Sequence, residues 1–344
     1  MSRWVVVLAG GVGSRFWPLS TPARPKQLLP LVTRRPLLAD SVDRLRALAD
    51  PAHTLVLTNA SLVDAIARLM PELPRANIVA EPKPAGTAAA LTWAAHLIAQ
   101  RDGDAAVMLS VHADWAVGDP AGFRDALTRA GDAAERYHGL VTVGIVPTRP
   151  DPGFGYIQPG DAIEPGVYRV ARFVEKPDRQ RAGEMIKTGH LWNSGIFVWR
   201  VGDFLAEVRR LTPEVAPALA ANPERIEAFF GAVQSISVDV GVLERSDKVM
   251  VMPGDFAWDD VGTWGALRRV RQPDALGNAS SGDVHAVDAR GNVVHAESGT
   301  VVLYGVSELV VVVQDGLVVV TTVDKSSDLK TLVESLPATV RERS

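Results

Sequence analysis

The 344-residue sequence contains no cysteine, which excludes disulfides, thiolate nucleophiles, zinc–cysteine sites and iron–sulfur clusters. Any metal must therefore bind through oxygen or imidazole. Long apolar runs are also missing, since none approaches the roughly 18 residues that span a bilayer. The N-terminus enters an apolar strand without the basic region of a signal peptide. These absences predict a cytoplasmic protein with no membrane partner.

Positive charge is not in excess, because 36 Lys and Arg stand against 40 Asp and Glu, a formal net charge of −4. The basic residues are dispersed and form no stripe of the kind that follows a nucleic-acid backbone. Aromatic residues are only 6% of the chain, so aliphatic side chains must form most of the core. The sequence thus predicts a globular protein without a nucleic-acid partner, which would bind a nucleotide only as a small molecule.

Continuous apolar runs rich in β-branched residues recur along most of the chain. The first run, residues 4–9, ends at Gly10-Gly11 and predicts a fully buried central strand. Helical stretches separate most of the later runs, which lie at 54–57, 105–109, 140–146 and 196–199. Strands that alternate with helices predict a Rossmann-like α/β fold, with a mostly parallel sheet and helices on both faces.

Two of the helices have recognisable N-terminal signals. Ser61 precedes an apolar segment of helical period that runs to Met70, and Thr87 is placed to cap an alanine-rich helix over 88–100. The second helix follows a Glu-Pro-Lys-Pro segment at 81–84, where the prolines forbid helix. Its N-terminal amides are therefore expected to face whatever the preceding loop binds.

The pattern changes after Asp274, where valine-rich stretches recur between turn signals. Turns are predicted at 290–292, 297–299 and 314–316, and the next helix only at 328–336. This spacing fits either hairpins or the short coils of a β-solenoid. We place the domain boundary here, so that residues 1–274 form the main domain and 275–344 a small β-rich domain with a terminal helix.

The strongest local signal is the glycine-rich loop after the first strand, LAGGVGSRFWPLSTPARPKQLLP at residues 8–30. Three glycines in four positions let the backbone approach a ligand closely and point amides at it, which suits phosphate. Arg15 and Lys26 add positive charge. The loop matches neither Walker A nor the dinucleotide fingerprint, because Phe16 stands where the latter requires a small residue. An ordinary glycine-rich turn with a surface arginine is the alternative.

Several motifs, in this order, resemble those of the sugar-1-phosphate nucleotidyltransferases. They are the glycine loop, Phe-Val-Glu-Lys-Pro at 173–177, Trp-Asn-Ser-Gly-Ile-Phe at 192–197 and Trp-Asp-Asp-Val-Gly-Thr-Trp at 258–264. The Phe-Trp-Pro-Leu-Ser variant at 16–20 resembles the short, monofunctional mannose-1-phosphate guanylyltransferases. The resemblance implies the fold of the nucleotide-diphospho-sugar transferases. For the C-terminal domain, a left-handed β-helix-like form is left open.

By this resemblance the glycine loop holds the nucleotide phosphates, and Arg15 and Lys26 are catalytic residues that neutralise charge as the α-phosphate is attacked. Such a role is physically sound, because negative charge spreads over the phosphoryl oxygens in the transition state. Segment 81–88 is expected to read the base through its backbone, since it has Ala85-Gly86 where relatives carry Arg-Asn. The implied nucleotide-binding residues are Leu8, Ala9, Gly10, Gly11, Gly13, Ser14, Glu81, Gly86, Thr87 and Ala88.

The resemblance assigns Mg²⁺ to Asp114 and Asp260. Asp114 follows the strand at 105–109, at the carboxyl end where α/β sheets bind ligands. Two carboxylates with phosphate oxygens and water make a normal magnesium site. A turn or helix-capping role is the alternative for Asp114. Its surroundings depart from the family pattern, since Trp115 stands where relatives carry histidine.

For the sugar phosphate, the resemblance points to Gly155, Glu175, Lys176 and Asn193. The lysine would bind the phosphate, while the glutamate and the asparagine would bind hydroxyl groups. At the end of a strand, the side chains of Glu175 and Lys176 point to opposite faces unless the strand breaks there. The structural alternatives are an exposed ion pair between these two residues and a plain Asn-Ser-Gly turn at Asn193.

The implied reaction transfers a guanylyl group from GTP to mannose 1-phosphate, giving GDP-mannose and pyrophosphate, by in-line attack on the α-phosphate with Mg²⁺. Another pair of substrates, with glucose 1-phosphate or with UTP, dTTP or ATP, is one alternative. A regulatory protein that binds a nucleotide sugar without turnover is another. The phosphomannose isomerase domain of bifunctional relatives is not expected, because the chain ends near the β-rich segment. A homodimer is left open.

Overall fold

The computed structural model describes residues 2–11 and 14–341, and the chain forms two compact units. Unit 1 comprises Met1–Gly10, Val42–His112 and Asp119–Phe256. Unit 2 comprises Gly11–Ser41, Ala113–Gly118 and Ala257–Ser344. Each unit is therefore assembled from three separate segments of the sequence.

In the described part of the chain the strands are β1 Arg3–Leu8, β2 Thr54–Asn59, β3 Ile78–Glu81, β4 Val107–His112, β5 Ala116–Val117, β6 Leu140–Ile145, β7 Tyr156–Glu164, β8 Val167–Val174, β9 Leu191–Arg200, β10 Val249–Gly254, β11 Trp258–Asp259, β12 Ala279–Val287, β13 Val293–Tyr304, β14 Leu309–Gln314 and β15 Leu317–Thr322. The α-helices are α1 Leu37–Leu45, α2 Val63–Leu69, α3 Gly86–Asp102, α4 Pro120–Tyr137, α5 Arg179–Lys187, α6 Val201–Leu211, α7 Ala216–Ala221, α8 Ile226–Ala232, α9 Leu267–Val270, α10 Leu329–Ser335 and α11 Ala338–Arg341. Residues 2–11 and 14–341 include no helix with the length and apolar character that crossing a bilayer requires.

Unit 1 is built on a nine-stranded sheet of order β3-β2-β1-β4-β9-β6-β10-β8-β7. β1 pairs in parallel with β2 and β4, and the side chains of Val5, Val6 and Val7 are completely buried. Because side chains alternate across a strand, this burial requires cover on both faces of the sheet. The predicted central strand and α/β fold are confirmed. The run at 196–199 lies in β9, whose antiparallel direction between β4 and β6 was not predicted.

The predicted helices α2 and α3 are present, but neither predicted cap is used. The side chain of Asn59 accepts a hydrogen bond from the Ser61 amide at 3.1 Å and caps a 3₁₀ helix, Ala60–Leu62, which precedes α2, and α2 itself has no side-chain cap. Thr87 lies inside the first turn of α3, and its hydroxyl accepts from the Val238 amide at 2.9 Å. A tertiary contact thus replaces the local capping predicted for Thr87.

The C-terminal sheet of unit 2 has the order β12-β13-β14-β15. The first three strands pair in parallel, as in a β-solenoid, whereas β14 and β15 form an antiparallel hairpin. Of the two predicted alternatives, the solenoid therefore describes β12 to β14 and the hairpin describes β14 and β15. Asp315 and Gly316 both have positive φ, which suits the predicted tight turn. The turn predicted at 297–299 is wrong, because β13 continues through it while its pairing with β12 shifts register.

One hydrophobic core holds unit 2 together. It joins Phe16 and Leu19, from the segment after the glycine loop, to Val310 and Val312 of β14 and to Leu329 of α10. The two units therefore do not follow the predicted boundary at residue 274, because the segment after the glycine loop buries its apolar side chains against the β-rich segment. The boundary between functional domains stays a prediction.

Two buried asparagines connect successive turns of the β-rich segment. Asn292 donates to the Asn278 side chain at 2.8 Å, and its oxygen accepts from the Leu309 amide at 2.9 Å. Asn292→Ala removes these bonds and leaves the Leu309 amide without its acceptor, so we expect a loss of about 2–3 kcal/mol in unfolding free energy. Urea unfolding monitored by circular dichroism measures it. Thr300→Ala, which removes an exposed hydrogen bond, is the control, and an equal loss in both variants would contradict the prediction.

Candidate functional site

A buried ammonium group organises the polar residues of unit 2. Lys26 is only 8% exposed, and its Nζ donates to Asp114 Oδ2 at 2.9 Å and to the Asp260 carbonyl oxygen at 2.7 Å. Asp114 lies just before β5, and Asp260 directly follows β11. These two short strands pair antiparallel, with Asp259 opposite Ala116. The pairing brings to the same lysine two aspartates that are distant in sequence and that the resemblance assigned to one magnesium site.

Arg15 is anchored to the loop that carries Asp260. Its Nη1 donates to the Gly262 carbonyl oxygen at 3.3 Å, and the residue is exposed. A Cβ atom on Gly262 would lie 2.6 Å from Asp260 Oδ2 and 3.4 Å from Arg15 Nη1. The lack of a side chain at Gly262 therefore leaves room for the ends of these two side chains beside the backbone. The loop thus meets both predicted catalytic cations.

The donor atoms of this cluster suit Mg²⁺ that arrives with phosphates. In residues 2–11 and 14–341, no group of three or more His, Asp or Glu side chains is arranged to hold a metal alone. Mg²⁺ needs only one or two carboxylates where substrate oxygens and water complete its shell, and Asp114 and Asp260 supply two. Trp115, in place of the family's histidine, is a core residue whose ring meets that of Trp258 edge-on with centroids 5.7 Å apart.

The backbone at the start of the glycine loop is hydrogen-bonded to the sheet of unit 1. Leu8 is buried at the end of β1, and the Ala9 amide donates to the Leu57 carbonyl at 2.8 Å. The Ala9 carbonyl accepts from the Thr58 hydroxyl at 3.1 Å. The amide of Ala9 is thus used by β2, and nucleotide binding by Leu8 and Ala9 stays a prediction.

The glycines that follow are exposed. Gly10 and Gly11 are both open to solvent, and the Gly11 carbonyl accepts from Gln27 Nε2 at 3.0 Å. Gln27 therefore restrains the loop, a role that the sequence analysis missed because nothing marks this glutamine within the motif. Gly13 and the side chain of Ser14, both predicted to bind nucleotide, lie outside the described residues.

The first turn of α3 contacts another segment of unit 1. Gly86 has φ of +80°, and a Cβ there would lie 2.2 Å from the Ile236 carbonyl oxygen. The Ala88 amide donates to the same oxygen at 3.2 Å, while Thr87 accepts from Val238. The glycine is thus required by the chain's own backbone, and not only by the approach of a ligand. Nucleotide binding by Gly86, Thr87 and Ala88 stays a prediction.

Glu81 ends β3 with its carboxylate close to the glycine loop. Its Oε1 lies 3.3 Å from the position that a Cβ on Gly10 would occupy. Burial raises the pKa of Glu81 from 4.5 to about 7. The side chain has no hydrogen-bond or ion-pair partner among the residues that the structure describes. A carboxylate that is costly to desolvate and has no partner in this part of the chain is suited to accept hydrogen bonds from a ligand.

Glu175 and Lys176 form an exposed ion pair. β8 ends at Val174, and Lys176 has φ of +41°, so the strand breaks before these residues. Their side chains therefore do not point to opposite faces, and Lys176 Nζ lies 2.8 Å from Glu175 Oε1. Exposed pairs of this kind contribute little to stability, so a ligand can separate them at small cost.

Asn193 lies in β9 at a shift of register, not in a turn. β9 continues from Leu191 to Arg200, and its pairing with β6 slips just after Asn193, where Gly195 has φ of +73°. The Asn193 amide donates to the Gly155 carbonyl at 2.8 Å. A Cβ on Gly155 would lie 2.8 Å from Glu175 Oε2. Three of the predicted sugar-binding residues, Gly155, Glu175 and Asn193, are thus brought together.

Asp239 is a further residue of this group that the sequence analysis missed. Asn193 Nδ2 donates to Asp239 Oδ1 at 2.7 Å, and Asn193 Oδ1 accepts from the Gly195 amide at 3.2 Å. Because the backbone amide of Gly195 can only donate, its bond to Asn193 Oδ1 fixes which way the Asn193 side-chain amide points. Burial, together with the negative charge of Glu175, raises the pKa of Asp239. Asp239 begins a π-helix, Asp239–Leu243, for which a single sequence gives no signal.

These features define a class of protein. Unit 1 places carboxylates and an asparagine at the ends of α/β strands, and unit 2 holds two cations beside two carboxylates. Such a chain is equipped to bind polar, phosphorylated ligands. The family model described as "Nucleotidyl transferase" matches residues 4–275, and the chain belongs to this family.

Named relatives match nearly the whole chain. The mannose-1-phosphate guanylyltransferases of Escherichia coli and Klebsiella pneumoniae are 36% and 35% identical to it, over 96% of this chain and 73% of each relative. A crystal structure from Thermus thermophilus, described as a mannose-1-phosphate geranyltransferase, is 35% identical with a TM-score of 0.90. The match covers 97% of this chain and 99% of that one. The predicted family and fold class are confirmed.

The raised pKa of Glu81 predicts a pH-dependent cost to stability. A carboxyl that ionises less readily when folded favours the folded state below its unfolded pKa, and this advantage is lost as the pH rises towards 7. Glu81→Gln should therefore stabilise the protein at about pH 8, relative to its effect at about pH 5, by about 2 kcal/mol. Urea unfolding at both pH values measures this. Glu224→Gln, at an exposed position, is the control, and a pH-independent effect of Glu81→Gln would contradict the assignment.

Proposed function

We propose that this protein is a mannose-1-phosphate guanylyltransferase, which converts GTP and mannose 1-phosphate into GDP-mannose and pyrophosphate. The observation that carries the proposal is Lys26, whose Nζ is held 2.9 Å from Asp114 and 2.7 Å from the Asp260 carbonyl. It stands in a chain that aligns over 96% of its length with relatives bearing that name. A protein that only senses a nucleotide sugar does not require a cation fixed in this way.

The reaction depends mainly on the positioning of the two substrates and on fixed positive charge near the α-phosphate. An oxygen of the sugar phosphate forms a bond to the α-phosphorus of GTP, and the bond from that phosphorus to the bridging oxygen breaks, so the electron pair leaves with pyrophosphate. Negative charge on the equatorial oxygens is the feature to be stabilised. Lys26 supplies a positive charge whose position is already fixed by two acceptors. Arg15, anchored by Gly262, supplies a second.

Asp114 and Asp260 are the residues that would hold Mg²⁺ in this reaction. Asp114 accepts from Lys26 through Oδ2, and a carboxylate has further lone pairs for a cation. When bound, Mg²⁺ supplies additional neutralisation of the phosphate oxygens. The contact with Lys26 keeps Asp114 oriented whether or not a nucleotide is present.

Guanine selectivity is proposed to depend on Glu81. The Watson–Crick edge of guanine carries two adjacent donors, N1–H and the N2 amino group, and an ionised carboxylate can accept from both. Adenine, uracil and thymine do not offer this pair of donors. Glu81 lies at the carboxyl end of β3, the end at which α/β sheets bind ligands, and has no partner in the described residues. A side chain would then read the base, in place of the backbone contacts expected from the sequence.

The sugar phosphate is proposed to bind at Gly155, Glu175, Lys176 and Asn193. The second amide hydrogen of Asn193 is available to a hydroxyl group, because Asp239 fixes the first. Glu175 accepts from sugar hydroxyls, and Lys176 exchanges its exposed contact with Glu175 for the sugar's phosphate. Selection of mannose over glucose depends on the axial 2-hydroxyl, which must meet one of these groups.

A pyrophosphate-release assay with Mg²⁺ tests the reaction and the base contact together. GTP, ITP, ATP, UTP and dTTP are crossed with mannose 1-phosphate and glucose 1-phosphate. We expect GTP with mannose 1-phosphate to be used best, and ITP, which lacks the N2 amino group, about tenfold or more less well. Glu81→Gln should remove most of the preference for GTP over ITP. Absence of release from every pair would refute the enzyme assignment, and an unchanged preference would refute the role of Glu81.

The role of Lys26 is tested by Lys26→Ala. Loss of this fixed charge should lower kcat by roughly a hundredfold, because the phosphoryl charge loses one preorganised partner. Arg24→Ala is the matched control, since Arg24 lies in the same segment but pairs with Glu297 at an exposed position. Thermal melting shows whether each variant is folded. A folded Lys26→Ala enzyme with full kcat would contradict the assignment.

A further inference from the structure

We propose that Arg269 is a positioning residue for nucleotidyl transfer, because it fixes through Asp259 the loop whose carbonyl oxygens hold Lys26 and Arg15. The loop comprises residues 259–262, which follow the start of β11. The inference rests on the proposed function, in which Lys26 and Arg15 stabilise charge on the reacting phosphate. Arg269 lies in α9, outside the Trp-Asp-Asp motif, and contributes nothing directly to that chemistry.

Arg269 contacts both carboxylate oxygens of Asp259. Nε and Nη2 of Arg269 donate to the two carboxylate oxygens of Asp259, at 2.7 and 3.1 Å. Asp259 is only 5% exposed. A guanidinium presents its donors in a rigid planar fork, so a two-point contact fixes both the position and the rotation of the carboxylate.

Asp259 in turn shapes its own loop. Asp259 Oδ1 accepts from the Val261 amide at 2.9 Å. Val261 has φ of +48°, a left-handed conformation that a β-branched residue rarely adopts. Its side chain is completely buried in the core of unit 2. The unusual backbone is therefore held from two sides, by the buried valine side chain and by the aspartate that Arg269 orients.

The loop contacts the two cations. The carbonyls on either side of Val261 are those of Asp260 and Gly262. The first accepts from Lys26 Nζ at 2.7 Å, and the second from Arg15 Nη1 at 3.3 Å. If the Asp260–Val261 peptide unit rotates, the Asp260 carbonyl turns with it, and the Gly262 carbonyl, one peptide unit beyond Val261, shifts with the displaced backbone. A shift of about 1 Å in such groups is enough to slow a positioned reaction up to a hundredfold.

The neighbouring Arg268 provides a matched control. It lies on the same short helix, but its guanidinium pairs with Glu308, which belongs to the loop before β14. Arg268→Ala removes an arginine and its ion pair with an exposed glutamate, without touching Asp259. Arg269→Lys keeps the charge but loses the planar fork, so it separates orientation from electrostatics.

Two measurements on the full-length protein test the proposal. Steady-state kinetics should show that Arg269→Ala lowers kcat about tenfold, with Arg269→Lys intermediate and KM for the sugar phosphate nearly unchanged. In a Lys26→Ala, Arg15→Ala background, adding Arg269→Ala should change kcat by less than about twofold, because the groups it positions are gone. Amide hydrogen exchange in residues 258–264 should accelerate in Arg269→Ala and Arg269→Lys, and stay unchanged in Arg268→Ala.

The outcomes separate this proposal from the proposed function. A wild-type protein without transferase activity would refute the function, and unchanged exchange at 258–264 in the Arg269 variants would then overturn the positioning role as well. An active wild type whose kcat is insensitive to Arg269→Lys, or falls equally in both backgrounds, would overturn the positioning role alone. If Arg269→Ala melts too early to assay, Arg269→Lys carries the same kinetic and exchange comparisons.

Discussion

The arrangement of unit 2 depends on the burial of one charged group, the ammonium of Lys26. Removing an ammonium from water costs several kcal/mol unless charge and hydrogen bonds replace the lost hydration. Here the Asp114 carboxylate and the Asp260 carbonyl replace it, at 2.9 and 2.7 Å. Three distant segments must converge for this to happen, and the β5–β11 pairing and the core around Phe16 bring them together. The β-rich segment therefore forms part of the framework that positions the lysine.

Much of the fold follows from local patterns in the sequence, whereas several contacts of the site do not. A run such as 4–9, apolar at every position and rich in β-branched residues, predicts a strand buried on both faces, and β1 is such a strand over Arg3–Leu8. In contrast, β5 and β11 have two residues each, too few for any periodic signal, so only the family resemblance linked Asp114 to Asp260. The Thr87 and Gly86 contacts with segment 236–238 depend on tertiary packing, as does the partnership of Asn193 with Asp239. The sequence pattern also does not show where a strand ends at a residue of positive φ, such as Lys176.

Unit 2 holds positively charged side chains beside fixed oxygens, whereas unit 1 holds poorly solvated carboxylates. This difference matches the roles proposed for these residues in catalysis and in ligand selection. Unit 2 holds its cations against fixed oxygens, so that positive charge is ready where phosphate charge develops. Unit 1 keeps carboxylates in poorly solvated places, where burial raises the pKa of Glu81 and of Asp239. Such groups destabilise the empty protein, but a base or sugar that donates hydrogen bonds offsets their desolvation. In the proposed function, rate then depends on the preorganised cations, and base selectivity on Glu81, an acceptor without a partner in the described residues.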